Sequence, residues 1–188
     1  MCKNGRNLLS KINDVQVLNK QEISAKDFFR IYDLKGIDGS IIAKPQDFMS
    51  KYDKKIGDKS IIYLPRNANE VYYSSYGNKG ANGKDLFKAV KLGNGNWSDP
   101  VSLGEVINTP FDEEFAFIHP DGRTLYFASK GHSSMGGYDL FMSTFDNTTN
   151  DWTTPINLDF AFSSADDDVL FITDEDKNFA FFASNRTN

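Results

Sequence analysis

The strongest constraint on the fold of this chain is an internal repeat with a period of about 54 residues. Similar segments begin at Ile61, Phe115 and Val169, so the same spacing occurs twice. Two Trp-x-x-Pro motifs, at Trp97 and Trp152, recur with nearly the same spacing. Each segment passes from a short apolar run through turn residues to a second apolar run, and two of them continue through a glycine-rich loop to Asp-Leu-Phe. A period of this length indicates an array of similar structural units.

One unit of the repeat carries four short strands separated by turn residues. In the copy with the most landmarks, strand A is predicted near 115–118, B near 125–129, C near 138–145 and D near 155–160. A four-stranded unit with a tryptophan near its end is typical of a β-propeller blade. The 188 residues therefore predict an all-β fold: a partial β-propeller of about three blades, each of four antiparallel strands, with a 54–55-residue repeat.

The repeat divides the chain into four parts. Residues 1–56 are predicted to hold an N-terminal segment and an incomplete first blade. There, 24–33 is either a degenerate strand C or part of a short helix over 21–30, and strands over 40–43 and 47–49 complete the blade. The three repeats make up the rest of the chain. The first unit is a blade over 57–110, and the second unit is a blade over 111–165. The third unit, over 166–188, is a truncated blade with strands A and B only. Because propellers close with about four to eight blades, we expect a piece of a longer propeller or, alternatively, half of a two-chain ring.

Composition and motifs exclude several classes of function. The net charge of −5 argues against nucleic acid as a partner, since phosphate binding needs clustered Lys and Arg. The single cysteine, Cys2, excludes an intrachain disulfide. No apolar stretch typical of an export signal precedes the repeat, and no run approaches the ~20 apolar residues of a membrane span.

Catalysis is not visible in the sequence, and the chain is predicted not to be an enzyme. The segment from Gly131 to Met135 resembles a nucleophile elbow, but Met135 stands where that motif needs glycine. The only two histidines, His119 and His132, are predicted at opposite edges of the sheets. The sequence therefore gives little support for a Ser-His-Asp triad or a histidine-rich metal site.

Acidic residues provide the candidate binding site. In an up-and-down sheet, the B–C loops and the segments leading into strand A emerge at one edge, which collects two acidic triplets beside the glycine-rich loops. The candidate residues are Asp112, Glu113, Glu114, Asp166, Asp167, Asp168 and His132. Converging carboxylates focus negative potential, so one hypothesis is that this face binds a basic segment or a divalent cation such as calcium. The alternative is that the carboxylates cap backbone amides at the strand starts.

Four further residues are predicted to have structural roles because they recur in register. Asp85 and Asp139 open strand C in two units, each followed by Leu-Phe, and we expect them to accept hydrogen bonds from amides of the glycine-rich loops. Trp97 and Trp152 recur near the ends of the same two units and, like the other aromatic residues of the chain, are expected to lie in the core.

Three segments carry a resemblance to a known family: SSYGNKGANGKDLF, NGNWSDPVSLGEVINTPFDEEF and HPDGRTLYFASKGHSSMGGYDLF. They resemble the WD-repeat-like, TolB-type propeller repeats of Gram-negative envelope proteins, particularly the subgroup with a C-terminal OmpA-like, peptidoglycan-binding domain. The resemblance covers roughly residues 15–188 and is strongest from Ile61 onward. It implies an exported, non-enzymatic module in the periplasm or at the outer membrane. A link to peptidoglycan is implied only through an OmpA-like domain, which this sequence does not contain.

Two classes of function follow from these observations. The first is a protein-interaction or scaffold propeller of the cell envelope, as in relatives assigned to gliding or secretion machinery, with an envelope protein as partner. The alternative is a propeller that binds a small ligand or glycan with the assistance of calcium, or an accessory propeller of a hydrolase encoded outside this chain.

Overall fold

Short strands make up most of the regular structure, as the apolar runs predict. The computed structural model describes residues 16–24, 28–30, 32, 34, 37–78 and 82–186. Within these residues the strands are β1 (Gly39–Ala43), β2 (Ile61–Pro65), β3 (Glu70–Ser75), β4 (Asp85–Val90), β5 (Val101–Ser102), β6 (Glu113–Ile118), β7 (Thr124–Ser129), β8 (Asp139–Asp146), β9 (Asp151–Trp152), β10 (Ile156–Asn157), β11 (Asp168–Thr173) and β12 (Ala180–Ser184). They form several small antiparallel sheets. The prediction of an all-β fold is confirmed.

The second unit forms the largest of these sheets. Its strands lie in the order β10–β8–β7–β6, so that the predicted strands A, B, C and D correspond to β6, β7, β8 and β10. β9 pairs with the far end of β8, where Trp152 lies opposite Phe145. Every residue of β7 is buried, because this strand has a neighbour on both edges and packed side chains on both faces.

The third unit is a hairpin that copies the first two strands of the second unit. β11 and β12 pair antiparallel with an irregularity after Val169, just as β6 and β7 do after Glu114, its counterpart in the second unit. The residue at the bulge has a left-handed backbone in both hairpins, with φ 57° at Phe115 and at Leu170. Such a conformation is uncommon for a bulky residue, so its recurrence shows that the two hairpins share one backbone design.

The first unit departs from the predicted four-stranded blade. β3, β4 and β5 form one sheet, whereas β2, the predicted strand A, pairs with β1. A local fit explains this pairing. Gly39 lies against the ring of Tyr63, where a Cβ would come within 2.6 Å of the ring atoms, so glycine lets the two strands approach. The strand predicted at 40–43 is therefore present as β1, but it extends a different strand from the one expected.

The segment before the first unit also differs from prediction. Phe28–Arg30, predicted either as part of a strand C or as part of a helix over 21–30, forms a 3-10 turn. Gln46–Phe48, which overlaps the strand predicted at 47–49, does so too. The helix α1 (Lys51–Ile56) follows, and it was not predicted. It begins at a reciprocal capping box between Ser50 and Asp53. These capping residues can be recognised in the sequence, but a six-residue helix is too short to show a helical apolar pattern. Within the described part of the chain, no helix has the length and apolar character needed to cross a bilayer.

The first strands of the three units meet in one apolar cluster. Tyr63 of β2 packs edge-on against Phe117 of β6, with ring centroids 4.8 Å apart. Tyr126 of β7 lies 4.8 Å from Phe171 of β11. These aromatic contacts join residues of all three units in one core cluster.

The repeated tryptophans pack against rings that come earlier in the chain. Trp97 lies 5.4 Å from Phe48, and Trp152 lies 6.3 Å from Tyr72 and 5.3 Å from Phe145, measured between ring centroids. Trp152 is buried and Trp97 is partly buried. Both side chains contribute to packing.

Candidate functional site

The predicted acidic residues lie at the seams between successive units. Asp112 Oδ1 accepts the backbone N–H of Lys84 at 3.0 Å, and Asp167 Oδ1 accepts that of Tyr138 at 3.0 Å. The next residue completes each contact: the N–H of Glu113 donates to the carbonyl of Lys84, and the N–H of Asp168 donates to the carbonyl of Tyr138, both at 2.7 Å. Each aspartate therefore ties the start of strand A to the start of strand C in the preceding unit.

Repeated glycines make room for these two aspartates. A Cβ on Gly83 would lie 2.6 Å from Asp112 Oδ1, and a Cβ on Gly137 would overlap Asp167 Oδ1. Lys130 Nζ also donates to Asp112 Oδ2 at 2.9 Å. Burial pushes the pKa of Asp112 upward, but the hydrogen bonds from Lys130 and from the Lys84 amide outweigh it and hold that pKa below its usual value.

Glu113, the next acidic residue, is fully buried and accepts three hydrogen bonds. Its carboxylate accepts the N–H of Thr109 at 2.8 Å, the hydroxyl of Thr109 at 2.7 Å and the hydroxyl of Ser129 at 2.6 Å. One unit earlier, Asp53 of α1 accepts the hydroxyl of Ser75, the counterpart of Ser129, at 2.6 Å. A helix that precedes the first unit thus supplies to Ser75 the kind of buried acceptor that a strand supplies to Ser129 in the second unit.

Asp168, the counterpart of Glu113 in the third unit, is held in a similar way. It accepts the N–H of Ser164 at 2.6 Å and its hydroxyl at 2.7 Å. Arg186 adds a charged donor, with Nη2 2.8 Å from Asp168 Oδ1. The side chain of Asp168 is completely buried, whereas that of Arg186 is 31% exposed.

A buried cluster of opposite charges, absent from the sequence-based prediction, connects the first two units. Lys44 Nζ lies 3.1 Å from Asp53 and 2.8 Å from Asp58, and Lys84 Nζ lies 3.1 Å from Asp58 and also pairs with Glu114. Burial pushes the pKa of Asp58 upward, but Lys44 and Lys84 outweigh it and lower that pKa to about 2.

The two acidic triplets do not correspond residue for residue. Because Asp112 and Asp167 make the same contacts, the repeat aligns Asp166 with Phe111 rather than with Asp112. Asp166 is exposed, and its backbone N–H donates to Ser164 Oγ at 3.3 Å. Five of the six predicted carboxylates thus have internal donors or ion-pair partners, as the capping alternative expects, and binding by this face remains a prediction.

His132 lies apart from these carboxylate contacts. Its Nε2 donates to the carbonyl of Ile107 at 2.7 Å. Its ring centroid is 5.8 Å from that of Phe127 and 5.5 Å from that of Phe141. The histidine therefore fixes the segment before Thr109 against the sheet of the second unit.

The aspartates that open strand C are only partly satisfied. Asp139 is fully buried, and its Oδ2 accepts the N–H of Met135 at 2.8 Å and the amide of Asn157 at 2.9 Å. Asp139 Oδ1 and Asp85 Oδ1 are buried and have no hydrogen-bond partner among the described residues. Residue 81, the counterpart of Met135, lies outside those residues. The predicted loop contact is thus seen for Asp139.

Asp85 makes the stability of this chain depend on pH. Burial, together with the nearby charge of Glu113, raises the pKa of Asp85 to about 6. Below about pH 4 the carboxyl is protonated in both the folded and the unfolded chain. As the pH rises through 6 the folded state must give up a proton that it holds more tightly, so stability falls. We expect Asp85→Asn to remove this loss, on the order of 1–3 kcal/mol at pH 7.

Chemical denaturation of the wild type and of Asp85→Asn from pH 4 to pH 8 measures how the free energy of unfolding of each depends on pH. The advantage of the variant should be smallest at pH 4 and grow to a plateau above pH 7. The control is Asp99→Asn, which changes an exposed aspartate of the same unit and should leave the pH dependence of stability unchanged from that of the wild type. Parallel curves for the wild type and Asp85→Asn would contradict a proton held on Asp85.

A cleft of about 670 Å³ opens between the first and second units. Asp85, Glu105, Thr109 and His132 contribute polar groups to its wall, and Val106 contributes an apolar surface. The volume lies within the range of small-molecule sites, about 300–1,000 Å³. This cleft was not predicted, because its walls come from loops of two different units.

Calcium is expected to have little effect on stability. Among the described residues, no group of three or more acidic, histidine or cysteine side chains is arranged to hold a metal ion. Because the seam carboxylates already accept internal hydrogen bonds, millimolar calcium should change the thermal midpoint no more than an equal ionic strength of NaCl. Unfolding scans with calcium, with NaCl and with a chelator test this. A saturable rise with calcium alone would instead support the predicted cation site.

A scan of protein-family models found no match for this chain, and searches of curated proteins and of solved structures found none either. Its function is therefore inferred from its own residues and from its repeat motif.

Proposed function

We propose that this chain is a non-enzymatic protein-interaction module, a partial β-propeller in which the edge of β12 that is unpaired among the described residues binds a partner polypeptide. One observation carries the proposal. β12 pairs with β11 as β7 pairs with β6, yet β7 is buried throughout while β12 is largely accessible. Phe179, just before β12, is 55% exposed, and Phe181 within it is 37% exposed.

An edge with these properties is suited to binding an extended polypeptide. A strand paired on one side presents unpaired N–H and C=O groups along the other, and adjacent apolar side chains add surface that is favourable to cover. Among the described residues, β12 pairs with β11 alone. Addition of a strand from another chain would satisfy both features at once, which is a common mode of peptide recognition.

The repeated seams support the propeller interpretation. The Asp112–Lys84 and Asp167–Tyr138 contacts recur one unit apart with equal distances, so successive units are joined by the same rule. The second unit holds its four strands in the up-and-down order of a blade. Side-by-side units joined in this way form a scaffold with a repeated edge.

The cell-envelope assignment is part of the proposal and rests on the motif HPDGRTLYFASKGHSSMGGYDLF. Its resemblance to TolB-type repeats of OmpA-family proteins favours a location in the periplasm or at the outer membrane, with an envelope protein as partner. In the structure the same motif forms β7, the loop fixed by His132, and the start of β8. Its residues mainly build the scaffold.

Selection of peptides on the open edge tests the proposed function. Random nine-residue peptides are displayed and selected on the chain, then counter-selected on Phe179→Ser. The matched control is Phe111→Ser, which removes a similarly exposed phenylalanine, 58% against 55%, from another surface. We expect peptides that bind the wild type and Phe111→Ser, lose affinity for Phe179→Ser, and protect the amides of β12 from hydrogen exchange. Peptides that leave those amides unprotected would overturn the proposal.

The cleft between the first and second units favours a second candidate function, binding of a small ligand or glycan. Filling it with Val106→Trp should abolish binding of any ligand found by saturation-transfer NMR. The control Val101→Trp enlarges an exposed side chain in the same unit and should have no effect. Ligands that bind Val106→Trp as well as the wild type would exclude the cleft as their site.

A further inference from the structure

We infer that the strand that docks on β12 carries an aspartate, an aliphatic residue and an aromatic residue in succession, with the aspartate placed opposite Ser184 and paired with Arg186. This inference rests on the proposed function and names the chemistry of its partner. The molecule itself supplies the template, because it covers two equivalent edges internally.

Both internal edges are covered in the same register. On β7, Ser129 lies opposite Asp139 and Ala128 opposite Leu140. On β3, Ser75 lies opposite Asp85. The serine that ends each strand B therefore faces the aspartate that opens strand C, and a leucine follows. β12 ends in the same way, with Ala183 and Ser184 at the positions that match Ala128 and Ser129 in the repeat.

The third position of the covering strand is aromatic in both cases. Phe141 lies opposite Phe127, with stacked rings whose centroids are 6.0 Å apart. Phe87 lies opposite Tyr73, also stacked, at 6.3 Å. The corresponding residue of β12 is Phe182, which is only partly buried. An aromatic residue of the incoming strand would stack there in the same way.

Arg186 makes the open edge differ in charge from the two covered ones. The residue two places after the final serine is Gly77 in the first unit and Gly131 in the second, but Arg186 in the third. Its Nε donates to Ser184 Oγ at 2.9 Å, and its Nη2 donates to Asp168 and to the carbonyl of Phe162. Nη1 donates to none of the described residues, and its two N–H groups remain for an acceptor.

An aspartate opposite Ser184 therefore gains a cation that the internal aspartates lack. Asp139, at the equivalent internal position, keeps a buried oxygen without a partner among the described residues. On β12 the corresponding oxygen would lie beside the guanidinium, whose planar fork matches a carboxylate. This charge complementarity selects a strand that opens with aspartate over one that opens with a neutral residue.

A peptide copied from the chain itself is the probe. The sequence Gly-Tyr-Asp-Leu-Phe-Met-Ser-Thr-Phe, residues 137–145, is labelled, and its affinity is measured by fluorescence anisotropy. The comparisons are its Asp→Asn analogue, its Asp→Lys analogue and a scrambled peptide. On the wild type we expect the Asp peptide to bind at least about tenfold more tightly than the Asn analogue, and the Lys analogue to bind worst. Protection from hydrogen exchange must fall on β12.

Arg186→Gln completes a double-mutant cycle, and its melting curve serves as the folding control. In this variant the preference for Asp over Asn should fall to about twofold or less. If the variant does not fold, rising salt on the wild type replaces it, since an ion pair predicts that the Asp preference shrinks. Equal binding of the Asp and Asn peptides would overturn this inference and leave the proposed function intact. Failure of every peptide to protect β12, including those from the display selection, would overturn both.

Discussion

Lys44→Met is expected to destabilise the chain by about 3–5 kcal/mol, since it removes the cation from a buried charge cluster. The side chains of Lys44 and Asp53 are completely buried and that of Asp58 is 4% exposed. Lys44 Nζ also donates to the carbonyl of Ser74 at 2.7 Å. Methionine fills the volume but leaves the two carboxylates with less compensation. Thermal unfolding should show a midpoint lower by roughly 6–20 °C for a chain of this size.

The control is an exposed pair in the same part of the chain. Arg66 lies 2.9 Å from Asp38, but these side chains are 78% and 64% exposed. Arg66→Met should therefore cost at most about 1 kcal/mol. A loss for Lys44→Met as small as that for Arg66→Met would contradict the buried cluster.

The same variant has a pH signature. The pKa of Asp58 is lowered to about 2 in the folded chain, against ~3.9 when unfolded. A lowered pKa contributes stability above pH 4, and this contribution is lost as the pH falls through 2. The stability gap between the wild type and Lys44→Met should therefore narrow between pH 4 and pH 2. A gap that stays constant would mean that Lys44 does not stabilise the ionised Asp58.

Gly136→Ala is expected to lower stability by about 2–4 kcal/mol, since it forces apart the seam between the second and third units. A Cβ at this position would overlap the carbonyl group of Ala165, which is backbone and cannot rotate away. The loop must then move, and with it the contact between Tyr138 and Asp167. The thermal midpoint should fall by roughly 5–15 °C, and the amides of β11 should exchange faster.

Gly93→Ala is the matched control for this steric effect. Neither glycine has a left-handed backbone, and a Cβ on Gly93 would meet nothing within 4 Å. Its stability should stay within about 0.5 kcal/mol of the wild type. Equal midpoints for the two alanine variants would show that the loop before Tyr138 does not pack against Ala165 in solution.

Much of the strand layout could be predicted because it is local and repeated. The apolar runs, the turn residues between them and the constant repeat spacing place β6, β7, β8 and β10 close to where they occur. The tendency to form a strand is indicated by the pattern of residues only a few positions apart. A second copy of the same pattern shows that the first is not a chance match. The helix α1 could not be predicted because its six residues are too few to show the 3.6-residue apolar period of a helix.

The roles of the acidic residues could not be predicted in the same way. Asp112, Glu113 and Glu114 are adjacent, and in a sequence they form one acidic patch. In the structure they point to three different environments: a backbone amide of the preceding unit, a buried pair of hydroxyls, and Lys84. Which one each side chain meets depends on residues that are distant in the sequence.

Sequence by itself determined the all-β character of this chain and its repeat, since both follow from side-chain patterns within single strands. Tertiary structure decided which strands pair, which carboxylates are buried, and which edge stays open. The pairing of β2 with β1 depends on the space beside Gly39, and the accessibility of β12 depends on the lack of a covering strand among the described residues. Such outcomes are set by close packing between units, where displacements of a few ångströms decide whether a charge meets water, a cation or a backbone amide.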